Sequence, residues 1–188
     1  MSGVLTDNVG RASGLLKGVA AASSDYVKLG TGSFSSVSTV AVDHADSSVY
    51  RGYDFYIWGL VPSGNDCTLR AQMKFGGTIE TGSDYYSISM TGSGQNNPAA
   101  AAHMSLGLMD NQQTISGFHP WHRLRIINAH IAEMKQVHFS GAWHDDNYHF
   151  GTNRAVMLNN NATDFSGIHL FQSGALTWSA SWAAYGIK

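Results

Sequence analysis

The chain has 188 residues and a formal net charge of −2, a length that fits one ordinary domain with an appendage better than two domains. Charged residues are only 13% of it and 21 residues are glycine, against a usual charged fraction of roughly 25%, a balance that suits strands and turns and gives no basic footprint for nucleic acid or an anionic membrane. No apolar run approaches the ~20 residues of a spanning helix, and the start MSGVLTDNVGRASGLL lacks the basic flank and apolar run of an export signal, so the expectation is a soluble chain with no membrane insertion.

Residues 1–35 read as an N-terminal docking arm. Gly, Ala and Ser dominate it, and its apolar positions Leu5, Val9, Leu15, Leu16 and Val19 bury little without a neighbour to pack on. Deleting residues 1–33 should then leave the rest folded.

Residues 36–188 read as one all-β domain. Candidate strands fall at 36–42, 53–61, 67–75, 84–90, 103–109, 122–133, 135–143, 154–159, 167–172 and 176–187, several with the period of two that places one face in a core. Between them lie VPSGND, FGGTIETGS, TGSGQNNPAA, NNNATD and QSGA, rich in the residues that turns demand. Short strands at even spacing predict an antiparallel β-sandwich, jelly-roll-like, with one short helix conceivable at 98–106 behind Pro98. Cys67 is the only cysteine, which excludes a disulfide or a multi-thiolate zinc site within one chain and reads as a core thiol. In the last strand, Trp178, Ala180, Trp182 and Ala184 share one face, a spacing that suits a core in which alanines make room for the opposing sheet.

The stretches YRGYDFYIWGLVPSGNDCTLRAQMKFGG, SDYYSISM and DFSGIHLFQSGALTWSASWAAYGIK resemble small tailed-bacteriophage virion proteins of the tail-fibre-like and receptor-binding-like kind. The opening LTDNVGRASGLLK is similar to the short virion-attachment arms of such proteins. The resemblance implies a structural virion component without enzymatic activity, assembled in the host cytoplasm. Leu5, Val9, Leu15, Leu16 and Val19 would dock it on other virion proteins of tail or capsid, and a host cell-surface carbohydrate would be its ligand. A homotrimer is the expected assembly, because closed symmetry hides sheet edges. Capsid decoration is the alternative role and glycan depolymerisation a third.

Two clusters are candidate sites. In FHPWHRLRI, Trp121 would stack on a sugar ring while His119, His122 and Arg123 supply hydrogen bonds; the competing reading packs Trp121 at the rim of the core, where large aromatics mostly lie. In GAWHDDNYHFG, Trp143, His144, Asp145 and Tyr148 are binding candidates, set against a solvated hairpin turn. His144 and His149 lack the spacing that fixes two zinc ligands on one rigid element, and no nucleophile elbow, phosphate loop or dinucleotide fingerprint occurs. The expectation is no catalytic residue, no cofactor and no metal within one chain, with a histidine site on a threefold axis left open.

Overall fold

The structure is a computed structural model that describes residues 25–46, 48–64, 67–91, 94–95, 100–109, 120–142, 152–158, 162, 164–174 and 176–188. The strands are β1 (Tyr26–Val37), β2 (Thr39–Val42), β3 (Gly52–Pro62), β4 (Cys67–Phe75), β5 (Thr78–Ile79), β6 (Tyr85–Thr91), β7 (Gly94–Gln95), β8 (Ala100–Ala101), β9 (Met104–Met109), β10 (Trp121–Ile127), β11 (Lys135–Ala142), β12 (Thr152–Leu158), β13 (Phe165–Gln172) and β14 (Trp178–Ile187). No helix occurs among the described residues.

The strands form two antiparallel sheets. The large sheet runs β1-β14-β3-β10-β11-β12-β6, with β7 and β8 both beside β6, and the small sheet runs β2-β13-β4, with β5 and β9 both beside β4. The expected all-β sandwich is the fold. Alternation builds its core: Tyr53, Phe55 and Ile57 of β3, Leu124 and Ile126 of β10, and Val137 and Phe139 of β11 are buried from the large sheet. Leu69, Ala71 and Met73 of β4 and Ile168 and Leu170 of β13 are buried from the small one. Fully burying side chains of this kind stabilises by roughly 1.5–3 kcal/mol each. Cys67 is a buried thiol in this core, as expected.

The last strand carries its two tryptophans on the core side. Trp178 is buried edge-on against Phe34, ring centroids 4.4 Å apart. Trp182 is only half-buried and stacks on His44 at 5.1 Å.

Three expectations are corrected. The boundary at residue 35 is too late, because β1 starts at Tyr26 and pairs with β14 from Tyr26↔Ile187 to Val37↔Trp178. Deleting 1–33 would therefore remove most of a strand, along with the backbone partners of β14. Its glycines face the core for lack of room: a Cβ on Gly32 would come within 3.0 Å of the Trp182 ring, and one on Gly30 within 3.1 Å of His44. Of the helix expected at 98–106, the described residues form none, since Ala100–Ala101 pairs with Tyr85 and Tyr86, and Met104 starts a strand along β4. The strand expected to run to 133 ends at Ile127, where Asn128 turns the chain with φ +62°, a conformation that asparagine tolerates better than most residues. Lys135 then closes that turn by donating from Nζ to the carbonyls of Ile131 and Glu133, which satisfies a buried ammonium.

Candidate functional site

The side of β3 that faces away from the core carries Asp54, Tyr56 and Trp58 at every second position. On its neighbour β10, Trp121, Arg123 and Arg125 lie opposite, in the pairs Trp121↔Trp58, Arg123↔Tyr56 and Arg125↔Asp54. On its other neighbour, β14, Tyr185 is the partner of Asp54, and Lys28 of β1 is the partner of Tyr185. Four strands therefore place aromatic and basic groups on one open surface.

Two features set its chemistry. The first is a pair of exposed tryptophans, Trp58 and Trp121, with 42% and 43% of their surface in water. A bulge helps to build this edge: Gly59 adopts φ +65°, a conformation that glycine takes without a steric cost, and the register between β14 and β3 shifts there. Val61, beyond the bulge, is exposed as well.

The second feature is a charge cluster around Asp54, which is fully buried. Arg125 donates to it in a fork, Nε to Oδ1 at 2.9 Å and Nη2 to Oδ2 at 2.8 Å, while Arg123 Nη2 donates to Oδ2 at 2.6 Å. Arg125 Nη2 also donates to the Tyr26 hydroxyl at 3.0 Å. The bonds to Asp54 hold the Arg125 guanidinium above the usual arginine range. The two arginine side chains remain 30% and 38% exposed, so the carboxylate is hidden and the cations show. Arg123 sits over the Tyr56 ring at 5.5 Å, and Tyr185 touches both Tyr56 and Tyr26, at 5.7 and 5.6 Å. Packing on rings and on a shared carboxylate keeps these long side chains in place.

The structure thus brings Trp121 and Arg123 together on the open face and separates His122 from them. Alternation turns His122 into the core, fully buried against Phe139 with ring centroids 5.2 Å apart, and burial pushes its imidazole down to about 3. It is corrected from a ligand contact to a core residue. Trp121 is exposed, against the competing reading that packs it at the rim of the core. His119, Trp143, His144, Asp145 and Tyr148 lie outside the described residues, as do Leu5, Val9, Leu15, Leu16 and Val19. Of GAWHDDNYHFG, Gly141 and Ala142 end β11, and Ala142 pairs with Trp121. Sequence reading missed Tyr26, Asp54, Tyr56, Trp58, Arg125 and Tyr185; the signal available was YDFYIW, in which Asp54, Tyr56 and Trp58 share one face of a strand. Among the described residues, no three His, Cys, Asp or Glu side chains gather closely enough to hold a metal ion.

No protein-family model matches the chain, and no curated protein matches it. Among solved structures it is similar to a mutant of the GH43 protein BlXynB from Bacillus licheniformis, at 9% identity and a TM-score of 0.34, over 80% of this chain and 32% of that one. It is also similar to the binding domain of botulinum neurotoxin DC in complex with rat synaptotagmin II, at 9% identity and a TM-score of 0.24, over 82% of this chain and 38% of that one. The chain spans 32% of the length of the first neighbour and 38% of the second. Likeness at these scores bears on neither activity nor ligand.

Proposed function

We propose that this protein is a non-catalytic binding module, a short tail-fibre-like appendage of a bacteriophage virion. Its N-terminal segment joins it to other virion proteins, and the open face of its large sheet takes carbohydrate of the host cell surface. The observation that carries the binding part is the pair Trp58 and Trp121, directly opposed on neighbouring strands and both exposed. Large aromatics are ordinarily mostly buried, and two held side by side in water form a flat apolar platform. A sugar ring offers CH faces to such rings and hydroxyls to the polar groups beside them. Binding is favoured over chemistry because Asp54, the acidic residue among the described strand positions of this face, is fully buried and accepts hydrogen bonds from two arginines on both carboxylate oxygens, which keeps it from contact with a bound substrate. The phage setting rests on the sequence resemblance, and a homotrimer is the proposed assembly.

Titration of the full chain with polysaccharides from the host surface tests the platform. Trp58→Ala and Trp121→Ala should each weaken binding about tenfold or more, a loss of ~1.4 kcal/mol, while the oligomeric state by light scattering stays unchanged. If the variants change the oligomer instead, the face is a contact between copies and the glycan reading falls. Mass spectrometry of purified virions tests the setting: a few copies per particle fit a tail appendage, many copies a capsid decoration, and absence refutes both.

A further inference from the structure

The platform lies beside a local excess of positive charge. Of the strand positions on this side of β1, β14, β3, β10 and β11, Lys28, Arg123 and Arg125 are the lysine and arginines, His138 lies opposite Arg125, and Asp54 alone is acidic. The surplus stands out on a chain whose formal net charge is −2. It is also directed outward, since Asp54 is fully buried while Lys28 is exposed and both arginines are partly exposed. Each guanidinium spends Nη2, and Arg125 also Nε, on Asp54 or Tyr26. The Nη1 groups of Arg123 and Arg125 have no hydrogen bond to a described residue, and a guanidinium has no acceptor of its own to offer. Two fixed arginines with donors to spare, two and four residues along β10 from a tryptophan, are suited to a planar anionic group attached to a ring.

We infer that the carbohydrate taken by this face is acidic, its anionic group seated against Arg123 and Arg125 while its ring lies on Trp58 and Trp121. This rests on the platform reading and adds the ligand's charge to it. A neutral saccharide would offer the exposed guanidinium groups only uncharged hydroxyl acceptors. An anion would form charge-assisted hydrogen bonds with side chains whose rotamers Asp54, Tyr26 and Tyr56 already hold.

The experiment is affinity electrophoresis of the full chain through a panel of bacterial surface polysaccharides, each acidic one paired with its carboxyl-reduced form, with dextran sulfate as a probe of bare charge. Expected is retardation by acidic members, about tenfold weaker with the reduced partner, and weakened by salt as the screening length falls from ~10 Å at 0.1 M to ~3 Å at 1 M. Arg123→Gln should erase the preference within each pair; Asp54 keeps the Arg125 fork, so the fold should survive. Lys28→Glu alters an exposed residue outside the Asp54 cluster and should reduce the preference without touching it. If acidic and reduced forms bind alike and Trp58→Ala abolishes both, the acidic inference is overturned and the platform stands. If dextran sulfate binds as well as any acidic glycan and Trp58→Ala makes no difference, charge alone is at work and both readings fall. If no polysaccharide retards the chain, the platform reading fails and takes the inference with it.

Discussion

On the outer face of the large sheet the buried member of the ion pair is a carboxylate, Asp54, and the members that meet water are Arg123 and Arg125. On the outer face of the small sheet the order is inverted: the Lys74 side chain is 10% exposed and that of its partner Asp43 is 53% exposed, with Nζ and Oδ1 2.5 Å apart. Place in the sheet accounts for the difference. Asp54 lies on β3 between two long strands, so neighbours crowd it from both sides, whereas Asp43 follows the end of β2 and can turn outward. The small sheet also roofs its polar groups with local contacts. Gln72 donates to the Ala102 carbonyl at 2.8 Å, and His169 stacks on Phe171 at 5.4 Å, which in turn meets His103 at 5.8 Å. A buried charge keeps its partner close, and the choice of which partner to bury decides the sign a face shows to water.

Truncation should break the comparison most completely. Deleting residues 1–37 removes β1, and with it Phe34 from Trp178 and Tyr26 from the arginines; the expected outcome is loss of a cooperative melt by circular dichroism. Deleting 2–24 keeps β1 and should leave the melt unchanged.

Next in size is the shared core. Trp178→Ala should cost about 3–5 kcal/mol in chemical denaturation, because that side chain is buried. An equal cost for Trp58→Ala would refute the exposed platform, where less than about 0.5 kcal/mol is expected.

The ion pairs come third. Asp54→Asn should destabilise by about 2–3 kcal/mol, below the ~3–5 kcal/mol for a fully buried pair because water reaches both arginines, and Asp43→Asn by no more than about 1 kcal/mol. Equal losses in urea melts would erase the distinction between the faces.

The pH dependence is smaller near neutrality and comes from the core. Burial lowers His122 from 6.5 to about 3, so between those values the unfolded chain holds a proton that the folded chain does not. Stability is whole above about pH 6.5 and falls on acidification by up to ~1.4 kcal/mol per pH unit until about pH 3. His103 and His169, both lowered mainly by burial, act in the same direction. Urea melts at pH 7, 6 and 5 should be flatter for His122→Leu than for the parent chain; parallel slopes would clear His122 of the role.

The strands legible in the sequence are those whose inward positions carry large side chains, as in YDFYIW of β3 and KQVHF of β11. β1 escaped for a physical reason. Its core-facing positions include Gly30 and Gly32, so its pattern is written in missing side chains, and a register shift between Lys28 and Gly30 changes the phase partway along. Half of the site was visible, since Trp121 and Arg123 stand in one short motif. The same period of two that puts them on one face should have removed His122 from it. Asp54 escaped because its partners Arg123 and Arg125 are 69 and 71 residues away, joined only by the pairing of β3 with β10.

Tyr26 has a mechanical consequence. It forms the first rung of the β1–β14 ladder, opposite Ile187, and accepts the Arg125 hydrogen bond. Force transmitted through the preceding residues enters the fold along the backbone at Asp25, whose carbonyl accepts from Lys188, and at Tyr26. The rungs lie across the strand direction, so a pull along β1 loads them all together, from Tyr26 to Val37, while a sideways pull peels them one by one from Tyr26. Under such peeling the guanidinium cluster would slacken at the first rung, before the core parts, which makes the geometry of the outer face sensitive to the direction of a pull on the residues that precede β1.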